Sequence, residues 1–562
     1  MRSKQSKSNK NKKGNAIIKI MVIILFLIAV GIVFTIAPNY QKDFLQGKTK
    51  VVINNSDVTA SLKLEPWVNE NGIVYLSTKD IANFFDKHIF YDNTYEQIIT
   101  SSDTKLASIE IGKKEMYVNS SKVNIYGEAI KKDGNFYLPF SEMQKVYNIE
   151  VKYIEDTKTI TIDSLDRKQE MATITKDTAI KYLPTTFAKT VDKVEKGNSV
   201  VAIEKQENGW MKVRTANGIL GYTKDITNIR TIRQEMEEQK QIEGKVSLVW
   251  DYYSEYVSAP TRTGKIEGVN VVSPSFAVVK KLGKGELETN IGEKGKAYIQ
   301  WAHNQGYKVW PMISNNSMKE TTSEILRDYK LREKLINEIV NLVLNYEIDG
   351  INIDFENIYQ EDKEMFSQFI IELAPRLREY GKVLSVDVTA PDGSEDWSLC
   401  YDRNLIGQVA DYVVFMAYDQ NGATSPKEGT TAGANWVEAN IKKFVGTQEE
   451  VDKEKLIIGM PFYTRLWKEA NGQITSKVVS MKNIDSTIPE NVEKKWNEDL
   501  KQYYVEYEQE GATYKMWIED ENSIKAKFDL VKKYDLAGAA YWTKDREAES
   551  IWKVIAQALE IN

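Results

Sequence analysis

The sequence predicts an α/β protein built around a C-terminal (β/α)8 TIM barrel over residues 243–562, preceded by a transmembrane helix, a small α+β domain and a small β-barrel. Three observations predict it. An uncharged apolar run follows a basic N-terminus, short β-like runs punctuated by turns fill residues 50–229, and eight strand-like segments alternating with amphipathic helices fill the rest. At 562 residues the chain is too long for one ordinary domain, and 42% hydrophobic with 10% aromatic content supplies real cores.

Residues 1–15, "MRSKQSKSNKNKKGN", read as a basic cytoplasmic tail and 16–38 as a transmembrane anchor, in which Ile20 to Ala37 carries no charge and is long enough to span a hydrocarbon core. The positive-inside bias then places everything after the anchor outside the cytoplasm, on the cell-wall side of a bacterium. A cleaved signal peptide competes with this reading, but the run is long for such a segment and no small-x-small site follows it. The net charge of -6 argues against nucleic-acid binding, which needs a basic face. With one cysteine, Cys400, and two histidines, His88 and His303, the chain offers neither an internal disulfide nor a His/Cys metal cluster. No cofactor is expected.

Residues 50–164 contain a weak internal echo. "NGIVYLSTKDIANFFDKHIFYDNTYEQIIT" parallels "DGNFYLPFSEMQKVYNIEVKYIEDTKTITI", with Gly72 matching Gly134, Tyr75 matching Tyr137 and Leu76 matching Leu138, and each copy reads strand, short helix, two strands. The segment resembles the copper amine oxidase N-terminal-like domain and shows no copper site; a spacer or stalk is its expected role. Residues 171–229 hold short strands around Val200, Val201 and Ile203, then Trp210, Lys212 and Val213, then Gly221 and Tyr222. They resemble a bacterial SH3-type domain, with Trp210 and Tyr222 expected in its core.

After a polar, helix-prone linker, "RTIRQEMEEQKQIEG", come the eight candidate strands: 245–252, 268–275, 308–314, 350–356, 383–390, 412–419, 455–463 and 536–542. The run from Ile325 to Leu344, with Leu331, Leu335, Ile339 and Val343 on one stripe, is one of the intervening amphipathic helices. A long insertion over 467–530 predicts an extra small sheet at the barrel top, and Glu519 and Asp520 read as turn residues within it.

The fourth strand carries the chemistry. In "GINIDFE", Ile351, Ile353 and Phe355 face the helices if Asn352, Asp354 and Glu356 face inward. Glu356 then sits at the C-terminal end of its strand, where barrel active sites assemble, with Asp354 one step, about 6–7 Å, below it. An inward carboxylate costs stability unless it is paired or used. A structural ion network explains one such acid better than it explains three polar residues in line at the barrel mouth. Asp251, Asn315, Asp387 and Asp392 end or follow strands on the same face, with capping or turn roles the leading reading for each. Cys400 reads as a small buried hydrophobe.

These residues resemble glycoside hydrolase family 18, the chitinase and endo-N-acetylglucosaminidase family, whose fourth-strand fingerprint is D-x-x-D-x-D-x-E. This chain reads Asp349, Asn352, Asp354, Glu356, so the middle acid is Asn, a form similar to that of branches cutting peptidoglycan sugars. "FMAYD" resembles the family's sixth-strand motif through Met416, Tyr418 and Asp419. "GMPFYTRLW" resembles its seventh through Gly459, Pro461, Tyr463, Arg465 and Trp467, and the closing segment supplies Trp542. The resemblance implies a glycosidase, with Glu356, Asp354 and Tyr418 catalytic and Asp349, Asn352, Met416, Asp419, Tyr463, Arg465 and Trp542 binding substrate. It implies substrate-assisted retention: Glu356 as acid and then base, Asp354 and Tyr418 holding the sugar's 2-acetamido group, Trp542 beneath the distorted ring.

The expected function is hydrolysis of β-1,4 bonds at N-acetylglucosamine in peptidoglycan by a membrane-anchored, wall-facing enzyme. The alternatives are a chitinase or endo-N-acetylglucosaminidase on other glycans, and a catalytically silent sugar-binding module. Since Asn352 offers Asp354 only a neutral hydrogen bond, Asp354 is expected to stay charged. On that reasoning Asn352→Asp leaves the protein active and moves the acidic limb of its pH profile, which a kcat/KM titration checks.

Overall fold

Eight parallel strands close into a ring: β1 (Val246–Asp251), β2 (Val271–Pro274), β3 in two pieces (Lys308–Val309 and Met312–Ser314), β4 (Gly350–Asp354), β5 (Val383–Val388), β6 (Tyr412–Met416), β7 (Leu456–Pro461) and β8 (Gly538–Trp542). The ring is complete because β8 pairs with β1, β1 with β2, and β2 with the first piece of β3. The break in β3 falls at Trp310-Pro311, where proline has no amide to give the ladder. β8 approaches β1 so closely that a Cβ on Gly538 would stand 1.9 Å from the Val246 carbonyl oxygen. The computed structural model describes residues 21, 48–235, 242–253, 257–446 and 450–561. Apart from Met21, the tail over 1–15 and the anchor expected over 16–38 lie outside the described residues. Among the described residues no helix is long and apolar enough to cross a membrane.

Strand alternation sorts the barrel's apolar residues into two cores. Val246, Leu248, Trp250, Val271, Trp310, Met312, Val383, Val414, Ile457 and Ala540 fill the interior. Ile313, Ile351, Ile353, Phe355, Leu384, Val386, Val413, Phe415 and Ile458 pack outward against the helices. Helices follow β2 to β8, and the last, Ile551–Leu559, lies against Gly268 ahead of β2; Gly268 has φ +74° and a Cβ there would come within 2.5 Å of the Ala556 nitrogen. The helix expected from Ile325 to Leu344 is two, Lys319–Arg327 and Tyr329–Asn345. Asp328 adopts extended backbone between them and caps the second by accepting from the Leu331 amide.

The insertion after β7 forms a five-stranded antiparallel sheet running from Tyr463–Ala470 to Ala512–Ile518. Glu519 is no surface turn residue. It is fully buried, paired with fully buried Lys527 at 2.9 Å, and accepts further bonds from Gln502 and Ser523. Burial raises its pKa despite the lysine. Asp520 instead caps the helix Glu521–Tyr534.

The N-terminal region divides between two compact units, one containing residues 48–87, 111–115 and 124–235, the other containing 88–110, 116–123 and the barrel. In the first unit the internal echo becomes a strand pair. Val74–Ser77 runs antiparallel to Asn135–Pro139 with Leu76 opposite Leu138, and Gly72 and Gly134 take φ +76° and +74° in equivalent turns. The same unit contains a seven-stranded sheet over residues 169–233 around Ile174, Ile180, Val200 and Val213. Its last strand, Ile226–Arg233, takes in the first residues of the expected linker; 236–241 lie outside the described residues. In the second unit, the strand residues within 88–110 and 116–123 pack on the barrel's own helices, which a free stalk would not do. Tyr95 donates to Asp328, Asn119 donates to Glu379, and Ile99, Leu106 and Tyr329 share a core.

Lys527→Met is expected to lower stability by about 3–5 kcal/mol in urea unfolding, because it leaves Glu519 buried and uncompensated. Glu519→Leu/Lys527→Met is expected to lose less than the single variant.

Candidate active site

The register of β4 aims three polar side chains into the barrel. Met312, Ser314 and Ser385 flank them on the neighbouring strands, with Asn352 opposite Met312 and Ser385, and Asp354 opposite Ser314. Asn352 is fully buried. Its Oδ1 accepts from Trp250 Nε1 at 2.8 Å, and its Nδ2 donates to Ser385 Oγ at 3.0 Å and to Asp387 Oδ1 at 2.7 Å. Every polar position of its amide is thus committed within the barrel, and it does not line the cleft. Asn352 is a positioning residue, which corrects its expected place among substrate contacts.

Asp354, Glu356 and Trp542 are shared by two cavities that meet at Glu356. One, of about 170 Å³, is lined also by Trp250, Asp387, Met416, Tyr418, Asp419 and Tyr463. The other, of about 210 Å³, runs toward the loops after β1 to β3 and is lined by Tyr252, Tyr253, Phe276, Glu288, Asn290 and Asn316 among others. Burial, then the charges of Asp354 and Asp419, push the Glu356 carboxyl up to about 8, the condition of a general acid near neutral pH. Asn315 holds the Glu356 backbone from both sides, donating to its carbonyl at 2.8 Å and accepting from its amide at 3.0 Å. Tyr401 donates to the Phe355 carbonyl at 2.7 Å. The catalytic strand end is therefore fixed by side chains from the β3 and β5 loops.

Asp354 is half-buried, and its enclosed Oδ1 has no hydrogen-bond partner among the described residues. Burial and then the neighbouring Asp387 raise its pKa well above the carboxylate range, so it is not held permanently charged as the Asn352 argument expected. The expectation for Asn352→Asp changes with it: the new carboxylate would face Asp387 across a 2.7 Å contact.

Asp349 does not join the site. It lies just before β4, at the opposite end of the barrel, bonded to His303 Nε2 at 2.8 Å, Lys308 Nζ at 3.2 Å and the Val309 amide at 3.0 Å. Burial raises its pKa, but these partners outweigh it and hold the group below the ordinary value. A position five residues from Asp354 along an extended strand cannot reach the same mouth. Met416 and Tyr418 do reach it, and Gly459 makes room for the tyrosine: a Cβ there would stand 3.1 Å from Tyr418 Cε1. Tyr463 donates to Asp419 Oδ1 at 2.8 Å, while Arg465 lies behind at 3.7 Å from the same oxygen and lines neither cavity. Arg465 therefore faces Asp419 from outside the two cavities. Trp542 meets Trp250 edge-on at 5.7 Å and Tyr252 at 5.4 Å, exposing a ring to both cavities.

The chain matches the family profile of glycosyl hydrolases family 18 over residues 248–547. The chain belongs to glycosyl hydrolase family 18. It is a glycosidase by family, and residues 52–162 match the copper amine oxidase N-terminal domain. Among relatives of this family 18 protein, an uncharacterized glycosylase, YvbX, of Bacillus subtilis (strain 168) is 27% identical over 278 residues, 47% of this chain and 79% of that one. A cortical fragment-lytic enzyme of Bacillus anthracis is 24% identical over 260 residues, 44% of this chain and 58% of that one. A crystal structure of a chitinase from Chromobacterium violaceum aligns with TM-score 0.49 at 21% identity, covering 57% of this chain and 100% of that one.

Residues that the sequence left in minor roles stand close to the chemistry. Asp387 faces the cavity, Asn315 clamps Glu356, and Tyr253 Oη and Asn290 Oδ1 in the second cavity are buried with no hydrogen-bond partner among the described residues. Asp251 is held by Arg262 at 2.7 Å and Tyr298 at 3.0 Å, and the same arginine binds Asp545 at 2.8 Å, tying the β1 and β8 loops together. Asp392 closes a turn by accepting from Ser394. Burial raises the Cys400 thiol to about 11, and it stays in the core.

The raised Glu356 pKa fixes two signs. The protonated acid is present below about pH 8, so the alkaline limb of kcat/KM should lie near that value. The native state also binds this proton more tightly than the unfolded chain does, so its contribution to stability is lost as pH rises through the folded value. Glu356→Gln is expected to lower kcat by about 10²–10⁴-fold, and to raise the melting temperature relative to wild type more at pH 8 than at pH 5.

Proposed function

We propose that the chain is a membrane-anchored, wall-facing hydrolase that cleaves β-1,4 bonds at N-acetylglucosamine of peptidoglycan by substrate-assisted retention. The observation that carries this reading is the grouping of Glu356, raised to about 8, with Asp354, Tyr418 and Trp542 around one cavity. Glu356 protonates the glycosidic oxygen and then deprotonates the incoming water. The substrate's own acetamido oxygen attacks the anomeric carbon, so the protein supplies no nucleophile.

Asp354, whose Oδ1 lacks a partner, accepts the acetamido N–H and offsets the oxazolinium charge. Tyr418 donates to the acetamido group from the β6 side. Trp542 presents its ring to the sugar's C–H face. The 210 Å³ arm beside Glu356 extends the cleft in the direction a polymer requires.

A wall substrate is favoured over chitin by the charge-free run from Ile20 to Ala37, which would tether the barrel to the outer membrane face, and by the SH3-type pattern over 171–229. The name of the Bacillus anthracis relative, a cortical fragment-lytic enzyme, agrees with it. The silent-module reading loses ground because Glu356 and Asp354 are both present and the acid is poised.

Digestion of purified peptidoglycan by wild type should release fragments ending in reducing N-acetylglucosamine, identified by mass spectrometry, and Glu356→Gln should release none. Release from chitin alone would redirect the substrate reading. Wall binding without cleavage by either protein would favour the silent module.

A further inference from the structure

The sheet register puts two inward carboxyls side by side. Ile353 pairs with Val386, so the next residues, Asp354 on β4 and Asp387 on β5, are cross-strand neighbours, both pointing inward, on strands about 4.8 Å apart. Asp387 is 1% exposed and accepts from Asn352 Nδ2 at 2.7 Å. No lysine or arginine lines the cavity they share. The groups that face the pair are Asn352 and Glu356 from β4, Ser385 from β5, Tyr418 and Asp419 from the end of β6, Trp250 from β1, Ser314 from β3, and Tyr401 from the loop after β5. None of these is a cation. Two carboxyls on adjacent strands with no cation lining their cavity disfavour each other's ionised form.

We infer that Asp387 is a positioning residue that shares a single proton with Asp354 and takes it when the sugar's acetamido group arrives. This rests on the substrate-assisted reading above and deepens it. Before substrate binds, the pair carries one proton and one negative charge. When cationic character develops on the acetamido group, the proton moves from the Asp354 carboxyl to the Asp387 carboxylate. Asp354 is left ionised against the new charge, and the pair's proton count does not change.

Asn352 makes this possible from below. Its amide donates to Asp387 while its oxygen is occupied by Trp250, so it fixes the orientation of Asp387 and adds no third charge. The burial-driven rise in the pKa of both acids agrees with a shared proton. Asn352 and Asp387 thus divide between two strands what one acidic side chain beneath Asp354 would otherwise do.

The test compares full-length wild type, Asp387→Asn and the swap Asn352→Asp/Asp387→Asn on purified peptidoglycan. A shift of one to two pKa units in Asp354 corresponds to about 10–100-fold in protonation equilibrium. Asp387→Asn is expected to move the acidic limb of the pH profile downward by about one to two units, because Asp354 then ionises with no like charge beside it, with KM changed less than about threefold. The swap, which returns one acid to the network, should move the limb back by about one unit or more. An unchanged pH profile in Asp387→Asn, or a swap whose profile matches the single variant, overturns the proposal.

A second measurement needs no turnover. Infrared spectra of the Glu356→Gln protein with 13C-carboxyl-labelled aspartate should show a protonated aspartic acid at neutral pH, and adding Asp387→Asn should remove it. Absence of that band in Glu356→Gln also overturns the proposal. If wild type cleaves no glycan while the band is present, the functional reading fails and the shared proton stands.

Discussion

Closing eight strands into a ring forces every second side chain into a crowded interior. The price of that closure is paid at β4, where the inward line holds Asn352, Asp354 and Glu356 instead of aliphatic residues. Asn352 keeps this line foldable. It is neutral, fully buried, and uses both ends of its amide within the barrel. A fully satisfied polar node adds little desolvation penalty, whereas a charge at the same depth would need a counterion the interior does not contain. The acids above it line a cavity that no lysine or arginine lines, and the enclosed Oδ1 of Asp354 has no partner among the described residues.

The electrostatics of the mouth follow from the same scarcity of cations. Glu356 feels burial, Asp354 and Asp419, and all three hold its proton on. Arg465 stays behind Asp419 at 3.7 Å, and Arg262 is engaged by Asp251 and Asp545 at the rim. Positive charge is thus spent on shaping loops, and the floor is left to carboxyls and aromatic rings. A site of this kind suits a reaction whose transition state is cationic and whose leaving oxygen needs a proton. The backbone of Glu356 is held as firmly as its side chain is left free, through Asn315 and the Tyr401 bond to its neighbour.

The barrel's outer surface uses buried charge differently. Arg332 pairs with Glu372 between two helices, and Lys527 with Glu519 beneath the inserted sheet, each pair fully enclosed and supplemented by neutral donors or acceptors. These pairs fix how layers dock. Part of the N-terminal region joins this outer layer through Tyr95, Asn119 and their partners on the helices. A segment whose sequence reads as a stalk is thus partly built into the catalytic unit.

Much of this was legible from residue order. The eight strands, the inward line on β4, the extra sheet before β8 and the matching turns at Gly72 and Gly134 all follow from periodicity and turn chemistry, which act over a few residues; that the two repeats pair with each other did not. Glu356, Asp354, Tyr418 and Trp542 lie at or just past the ends of β4, β6 and β8, each within a spaced motif, and the fold gathers them around one cavity. The misplacements share one cause. Asp349 and Asn352 belong to the same motif by spacing, yet one lies at the closed end of the strand and the other is consumed by Trp250, Ser385 and Asp387, residues 102, 33 and 35 positions away in the chain. The sequence by itself determined which strand holds the acids and which way they point, because alternation is local. Only the tertiary structure decided which acids share a field, because the register between β4 and β5 and the closure of β8 on β1 bring together carboxyls and rings that no spacing in the chain relates.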